Sequence, residues 1–359
     1  MTLKYMPQLD SLRIFAVLLV MVGHYFPADM WINYTPNGKL GVTLFFVLSG
    51  FLITQILIRS KIAISNEKTT TLRSFKDFYI RRTLRIFPIY YLLLLVLFLI
   101  GFKNISSYMG WYLIYASNFL FYILNTFQGQ LAHTWTLAVE EQFYLIWPLI
   151  ILLFSKRKLL ALIIFFFILG IVFRIFFLKY TNNTYFYILT PASFDSFACG
   201  AFLAYSRIYD VKININKYLL KGLVFVNIII LILIFLNRKN FYSWVFLPTI
   251  ISTLSLIIIA KASLGFDGLV KKILENKILV YLGKISYGLY LYHIFIPDLY
   301  IWLVKFGWNV PLLGVKLFPF YKNIYIQSFI YILITILISS VSWFLIEKPI
   351  NNLKNKFKR

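Results

Sequence analysis

Two ionisable side chains, Arg13 and His24, lie eleven residues apart in the first apolar segment of the chain. Eleven residues of an α-helix make about three full turns, so both side chains would share one face, about 16 Å apart along the axis. An imidazole titrates near neutral pH and can accept a proton from a hydroxyl group, which makes His24 a candidate general base. Asp10 lies one turn before Arg13 and could pair with it. The alternative is an interfacial arginine and a hydrogen-bonded core histidine.

A second basic group, Arg81–Arg82–Thr83–Leu84–Arg85, comes shortly before Pro88. Arg82 and Arg85 are three residues apart and therefore share a helix face. Guanidinium groups bind phosphate in a bidentate manner, so this pair could bind a phosphate-bearing ligand. The positively charged flank of a membrane span looks much the same, and spacing alone does not separate the two interpretations.

Several of the few carboxylates fall inside or at the ends of apolar segments. The adjacent residues Glu140 and Glu141 lie about five residues into one segment, where one could pair with an arginine and the other orient a histidine. Asp195 stands alone within another segment, and Glu347 ends the last one, where it could simply be interfacial. Ionisable groups inside a membrane are costly, so these residues are candidates for function.

The two remaining histidines also belong to apolar surroundings. His133 comes just before the segment that carries the two glutamates. Ser286, Tyr290 and His293 are spaced i, i+4, i+7 in a later segment and would share a helix face, with Tyr287 beside them. We therefore add these residues to the candidate site.

These polar residues are exceptions in an apolar chain. Of 359 residues, 61% are apolar and 13% are charged, yet the formal net charge is +24. A soluble domain has about twice that share of charged residues, and a nucleic-acid-binding protein of this basicity would be less apolar. A protein that crosses the membrane many times explains both features, because its charges gather as Lys and Arg at the membrane surface. The single cysteine, Cys199, excludes an internal disulfide and leaves no cysteine cluster for zinc.

The positioning elements are therefore predicted to be helices of an all-α polytopic membrane bundle, each span needing about 20 mostly apolar residues. The first span is the weakest; a signal peptide is the disfavoured alternative, because no small-residue cleavage site follows it. Segment 111–124 is short and is interpreted as interfacial or re-entrant, and the polar stretch 59–82 as an inner loop. The ten predicted spans are 11–26, 40–58, 83–101, 135–154, 159–178, 187–206, 218–236, 242–260, 281–304 and 326–346.

The distribution of basic residues predicts the orientation of this bundle. With a cytoplasmic N-terminus, 26 of the 36 Lys and Arg residues fall on inner segments and eight on outer segments. This bias follows the positive-inside rule and predicts that both termini are cytoplasmic in a multi-pass protein of the plasma (inner) membrane. It also explains most of the positive charge without a nucleic-acid partner.

Small residues in the second span predict close helix packing. Gly41, Ser49 and Gly50 lie in this span, and Gly and Ser allow helix backbones to approach each other in lipid. Packing is the favoured interpretation for Ser49, and contact with a substrate is the minority one.

Six motifs together resemble the acyltransferase-3 family of membrane proteins, which includes O-acetyltransferases that act on bacterial polysaccharides. The resemblance runs from about residue 9 to 349, nearly the whole chain. The motifs are Leu9–Asp10–Ser11–Leu12–Arg13 with His24; GVTLFFVLSGFLIT at 41–54; RRTLRIFP at 81–88; HTWTLAVEEQFY at 133–144; LGKISY at 282–287 with YLYH at 290–293; and IEKP at 346–349.

The resemblance implies ten transmembrane helices, no permanently bound cofactor, and an acyl-CoA co-substrate, usually acetyl-CoA, used from the cytoplasm. It implies that Arg13, His24 and the pair Arg82 and Arg85 matter for activity. On this view the arginine pair would meet the CoA nucleotide, His24 would deprotonate the acceptor hydroxyl, and Glu141 could hold the His24 tautomer. Relatives often carry an arginine shortly before the sixth-span acid, where this chain has Ser193, which weakens a specific role for Asp195.

The expected function is therefore transfer of an acyl group, most commonly acetyl, to a hydroxyl of a cell-surface carbohydrate or its lipid-linked precursor. The expected partners are the lipid bilayer, acyl-CoA and the carbohydrate, with glycan-assembly proteins as a further class. Residues 1–359 are expected to form one transmembrane domain without an attached C-terminal esterase-like domain. The competing class is a secondary transporter, but such proteins often show paired halves with broken helices, and the sequence shows no such symmetry.

Overall fold

A computed structural model describes residues 5–102, 105–211, 225, 227–229, 232, 241–308 and 323–354. The part of the chain that it describes is helical and contains no β-strand. Its α-helices, numbered in chain order, are α1 (Pro7–Tyr25), α2 (Asn37–Ser65), α3 (Thr71–Leu99), α4 (Ile105–Leu113), α5 (Ser117–Leu124), α6 (Thr134–Leu153), α7 (Lys156–Tyr180), α8 (Phe194–Ile208), α9 (Phe241–Leu264), α10 (Gly268–Leu274), α11 (Lys277–Lys284), α12 (Ser286–Tyr292), α13 (Ile296–Trp308), α14 (Ile324–Ser342) and α15 (Lys348–Asn352).

Within these described ranges, seven helices are long and apolar enough to cross a membrane, or eight if one bent pair is counted as a span. They correspond to the spans predicted at 11–26, 40–58, 83–101, 135–154, 159–178, 242–260 and 326–346. The chain is therefore an all-helical protein with several helices suited to a bilayer.

Three other predicted spans have a different outcome. Segment 187–206 begins with two 3₁₀ turns, and the α-helix that follows, α8, has only 15 residues. Segment 281–304 is broken at Ile285, where Lys277–Lys284 and Ser286–Leu303 meet at a bend of 59°. Segment 218–236 lies almost wholly outside the described residues. Hydropathy averages the apolar content of a window and does not register short turn sequences inside it, such as Thr190–Pro191 and Gly283–Lys284, which explains the first two differences.

The prediction of an inner loop at 59–82 is wrong. Helix α2 continues to Ser65, and α3 begins at Thr71, where the hydroxyl of Thr70 caps the backbone N–H of Arg73 at 3.2 Å. The polar residues of this stretch belong to helical extensions of the two spans, because hydropathy marks the membrane boundary rather than the end of a helix. Arg82 and Arg85 consequently sit on a continuous helix.

Glycines bring α2 into backbone contact with its neighbours. A Cβ atom on Gly50 would lie 2.2 Å from the Phe197 carbonyl oxygen of α8, and one on Gly41 would lie 2.3 Å from the Ala16 carbonyl oxygen of α1. These distances leave no space for a side chain, so α1, α2 and α8 pack as closely as helices in a membrane can. The predicted packing role thus belongs to Gly41 and Gly50.

A buried ion pair joins α7 to α8. The Nη2 atom of Arg174 lies 2.7 Å from Oδ2 of Asp195, and both side chains are fully buried. Arg174 uses all five of its N–H donors: two bind Asp195, and the others bind the Val245 and Ala192 carbonyls and the Thr249 hydroxyl. This bidentate, fully bonded geometry is the one in which a buried charge pair is tolerated.

Candidate active site

A cavity runs between helices α1, α2, α3, α6 and α12. Its wall on α2 extends from Val42 to Ile53, and its wall on α6 extends from Thr136 to Tyr144. At 1.5 Å per residue, the cavity follows α2 for about 16 Å. The residues that line it are Arg13, Val42, Phe45, Phe46, Leu48, Ser49, Leu52, Ile53, Arg82, Arg85, Ile86, Thr136, Leu137, Glu140, Tyr144, Ser286, Tyr287 and Tyr290.

Three arginines meet at one end of this cavity, which we call the arginine end. Arg13, Arg82 and Arg85 all line the cavity, and the charge of Arg13 interacts with those of Arg82 and Arg85. Asp10 forms the predicted ion pair with Arg13 and also accepts a hydrogen bond from the Tyr5 hydroxyl at 2.8 Å. The expectation that Arg82 and Arg85 share a face is thus confirmed.

The guanidinium groups of Arg82 and Arg85 lack an acceptor on the protein. Among the described residues, neither makes a hydrogen bond or an ion pair; Arg82 lies over the rings of Tyr144 and Phe78, at 5.1 and 5.9 Å. Buried or half-buried charges are normally paired, and a guanidinium carries five donors. The arginine end therefore offers unfilled donors and positive potential to an anion.

A carboxylate and two hydroxyl groups form the middle of the cavity wall. Glu140 accepts a hydrogen bond from the Ser49 hydroxyl at 2.7 Å, and Ser49 accepts one from the Tyr144 hydroxyl at 3.1 Å. Glu140 also interacts electrostatically with Arg82 and Arg85. Among the described residues no ion pair joins Glu140 to either arginine, so the predicted pairing of one glutamate with an arginine is present only as a longer-range attraction. Ser49 lines the cavity and also joins α2 to α6 through these two hydrogen bonds, so its contact with a substrate stays a prediction.

His24 lies at the other end of α1, which we call the histidine end. Its side chain is exposed, and its Nδ1 atom is 2.8 Å from Nε2 of His293, which is fully buried. Nδ1 of His293 is 2.7 Å from the backbone oxygen of Tyr290, whose side chain lines the cavity. The histidine pair is therefore linked directly to the cavity wall.

His133 lies beside this pair but faces backbone carbonyls. Its ring centroid is 5.5 Å from that of His293, and its two nitrogens lie 3.0 and 3.2 Å from the carbonyl oxygens of Gln130 and Leu291. The side chain is buried and joins the start of α6 to α12. Despite the proximity of the histidines, no metal-binding group of three His, Cys, Asp or Glu side chains occurs in the described ranges.

The prediction that Glu141 orients His24 does not agree with the structure. The hydrogen-bond partner of His24 is His293, whereas Glu141 interacts electrostatically with Arg82 and with tyrosines that include Tyr115. The side chains of the two neighbouring glutamates point about 100° apart on the helix, and Glu140 lines the cavity whereas Glu141 does not.

The remaining candidates fall inside and outside the cavity. Ser286 and Tyr287 line it, and the Tyr287 hydroxyl donates to the Ile86 carbonyl at 3.2 Å. Glu347 is buried within the protein; it accepts a hydrogen bond from Ser342 at 3.4 Å and interacts with Arg85.

Asp195 is not part of the cavity and serves the buried ion pair with Arg174. Arg174 is not among the residues predicted from the sequence, although an arginine in the middle of an apolar helix indicates a buried partner. Tyr144 and Thr136 were also missed as wall residues; both stand in the motif that carries Glu140, and Thr136 lies four residues before Glu140.

The fold and the cavity define an integral membrane protein of the helical-bundle type. The arginine end of its cavity attracts anions, and the histidine end lies at the other end of α1 in the same bundle. The model of the acyltransferase-3 family, described as an acyltransferase domain, matches residues 6–347. The chain belongs to this family, as its motifs predicted.

Two curated relatives are named as O-acetyltransferases. The peptidoglycan O-acetyltransferase OatA of Listeria monocytogenes is 30% identical over 383 residues, an alignment that covers 99% of this chain and 57% of the relative. The O-acetyltransferase OatA of Staphylococcus aureus is 31% identical over 385 residues, with 99% and 58% covered. The chain thus spans little more than half the length of these relatives. No solved structure matches it.

Proposed function

We propose that the protein is an integral membrane O-acyltransferase that moves an acetyl group from cytoplasmic acetyl-CoA to a hydroxyl of a cell-surface carbohydrate or its lipid-linked precursor. The observation that carries this proposal is the cavity with unpaired Arg82 and Arg85 at one end and a histidine pair beyond the other. The relatives' names support transfer of acetyl to oxygen, and the name of the Listeria protein supports a carbohydrate acceptor.

The arginine end fits the phosphates of a CoA thioester. Three guanidinium groups close to one another repel, and a polyanion that binds among them relieves this repulsion while filling the free N–H donors of Arg82 and Arg85. The positive-inside distribution supports a cytoplasmic location for this end, because Arg82 and Arg85 belong to the inner charge group. The proposal includes ten transmembrane spans with both termini in the cytoplasm.

The length of the cavity fits the arm that carries the acyl group. The cavity follows α2 for about 16 Å, which is also the axial distance between Arg13 and His24 on α1. Its wall on α2 from Phe45 to Leu52 is apolar apart from Ser49, which binds Glu140 on the α6 wall. A pantetheine arm extended from the arginine end along this wall would carry the thioester towards Tyr290 and the histidine end.

His24 is suited to remove the proton of the acceptor hydroxyl. Its ring nitrogen that does not face His293 belongs to an exposed side chain and can accept this proton. The acceptor oxygen then forms a C–O bond with the acyl carbon, the C–S bond of the thioester breaks, and the proton passes to the thiolate. The products are the O-acetylated carbohydrate and CoA with a free thiol.

Incubation of the reconstituted protein with acetyl-CoA, labelled in the acetyl group, tests the reaction. With peptidoglycan fragments and other bacterial glycans as acceptors, we expect label in a glycan ester that mild alkali releases. Mass spectrometry of glycans from a deletion strain should show the loss of one acetyl group. Label that crosses the bilayer unchanged and never enters a glycan would contradict the proposal and indicate the transporter class.

Replacement of Arg82 and Arg85 tests the donor site. We expect each alanine variant to raise the KM for acetyl-CoA by about 10- to 100-fold, since each loses a charge-assisted hydrogen bond. Lysine should restore only part of the affinity, because it cannot bind phosphate in a bidentate manner.

Arg81→Ala is the matched control, since Arg81 is exposed on the same helix and does not line the cavity. An equal effect of Arg81→Ala and Arg85→Ala would show that these residues act only as a charged flank of the span. An unchanged KM in the Arg82 and Arg85 variants would remove them from the donor site.

A further inference from the structure

Two histidines from distant parts of the chain share a hydrogen bond between ring nitrogens. Nδ1 of His24 lies 2.8 Å from Nε2 of His293, although 269 residues separate them in the sequence. His24 is exposed, and His293 is fully buried behind it. One histidine is thus held by the fold while the other faces outward.

His24, His293 and the Tyr290 carbonyl form a series of hydrogen bonds, and the carbonyl at its buried end determines the position of each proton. The Tyr290 carbonyl oxygen, 2.7 Å from Nδ1 of His293, can only accept a hydrogen bond, so Nδ1 of His293 carries a hydrogen. A neutral imidazole has one N–H, so Nε2 of His293 has a lone pair and accepts the hydrogen bond from Nδ1–H of His24. The lone pair of His24 is consequently on Nε2, which points away from His293.

We infer that His293 is a positioning residue that holds His24 in the tautomer needed for proton abstraction. This inference rests on the proposed function, in which His24 is the general base. When Nε2 of His24 accepts the proton of the acceptor hydroxyl, the resulting imidazolium donates from Nδ1 to neutral His293, and the bond becomes charge-assisted. In a catalytic triad a carboxylate performs this task.

A neutral acceptor has a physical advantage inside a membrane bundle. A carboxylate behind His24 would itself have to be taken out of water, which costs several kcal/mol per ion. A histidine provides a lone pair without a permanent charge. It also has a second nitrogen, which the Tyr290 carbonyl binds, so the orientation of the ring is fixed at both ends.

The backbone that carries His293 is fixed by further hydrogen bonds. The Tyr25 hydroxyl donates to the His293 carbonyl oxygen at 2.9 Å and lies 2.8 Å from the Thr335 hydroxyl. Tyr25 is the neighbour of His24 on α1, so the same contact aligns both histidines. The rings of His133, which directly precedes α6, and of Tyr290 on α12 pack against His293, each with its centroid 5.5 Å away.

Two substitutions of His293 separate positioning from packing. His293→Leu fills the space but accepts no hydrogen bond, and we expect kcat to fall by about 100-fold. KM for acetyl-CoA should stay within about twofold, because the donor phosphates bind at the arginine end. His293→Gln places an amide oxygen near the former Nε2 and should recover at least about tenfold of the lost kcat.

The outcomes distinguish this inference from the proposed function. Loss of activity in His24→Ala with wild-type kcat in His293→Leu would overturn the positioning role alone. Wild-type activity in His24→Ala would overturn the assignment of the base. Equal losses in the leucine and glutamine variants, both folded, would show that His293 serves only packing and would also overturn the inference.

A direct measurement covers the case in which His293→Leu does not fold. The chain has three histidines, so ¹⁵N-histidine-labelled protein in lipid bilayers gives few ring signals for solid-state NMR. Assigned with His24→Ala and the glutamine variant, the His24 ring should show a protonated Nδ1 and an unprotonated Nε2. A neutral His24 with its proton on Nε2 would overturn the inference.

Discussion

Replacing His24 by alanine is expected to abolish O-acetylation while the protein still inserts and folds. Loss of a general base lowers a rate by about 10²- to 10⁴-fold. Among the described residues, no other exposed base is hydrogen-bonded to His293 and could replace His24. The effect should appear in kcat, with KM for acetyl-CoA little changed, because the arginine end is intact. Labelled-acetyl transfer by the variant reconstituted at matched protein amounts is the measurement.

The control for His24→Ala lies on the same helix. Phe15 is exposed on α1 and is absent from the cavity wall, so Phe15→Ala should retain activity. Both variants should elute as single species in detergent, which excludes misfolding. Acetylation at the wild-type rate by His24→Ala would contradict the assignment of His24 as the base.

Among the substitutions proposed, removal of one partner of the buried pair between Arg174 and Asp195 should lower the free energy of unfolding most. We expect Asp195→Ala to lower the free energy of unfolding by about 3–5 kcal/mol, because it leaves a guanidinium buried without a counter-charge. Thermal unfolding in detergent, followed by tryptophan fluorescence, measures this change. At temperatures where the variant is folded, its KM for acetyl-CoA should be unchanged, since Asp195 lies outside the cavity.

The chain provides a matched exposed pair as the control. Lys261 and Asp267 lie 3.7 Å apart, with 51% and 91% of their side chains exposed. Asp267→Ala should therefore cost less than about 1 kcal/mol. The double variant Arg174→Met/Asp195→Leu should be more stable than Asp195→Ala, because it removes the unpaired charge. An equal loss in Asp195→Ala and Asp267→Ala would show that the buried pair contributes little.

The long spans and the arginine pair were predictable because each depends on local sequence. Helices α2, α6 and α7 agree with their predicted spans to within a few residues at most ends, since continuous apolar runs have one stable arrangement in a bilayer. Arg82 and Arg85 face the cavity together because their spacing fixes a shared helix face. The pairing of Asp10 with Arg13 follows from the same rule.

The partner of His24 was not predictable in this way. Sequence order suggested a nearby carboxylate by analogy with a triad, whereas the fold brings His293 to His24 from the far end of the chain. Which of two adjacent glutamates faces the cavity depends on the rotation of α6, and hydropathy does not fix that rotation. The break at Ile285 lies among Gly283, Lys284 and Ser286, but these residues do not fix whether the two helices on either side continue in line or bend.

The glycine contacts of α2 have a consequence for motion in the bundle. Because Gly50 and Gly200 bring α2 and α8 together without space for a side chain, α2 cannot slide or tilt without breaking that contact. Helix α3 is less buried in the bundle than α2: 28% of its most apolar stretch is buried, against 72% for α2. The wall of the cavity that α3 forms therefore has fewer packing contacts with the protein to lose when it moves. We therefore expect the entry and release of a bulky nucleotide to displace α3, which carries Arg82 and Arg85. Helix α2 is expected to keep its position against α8 during this movement.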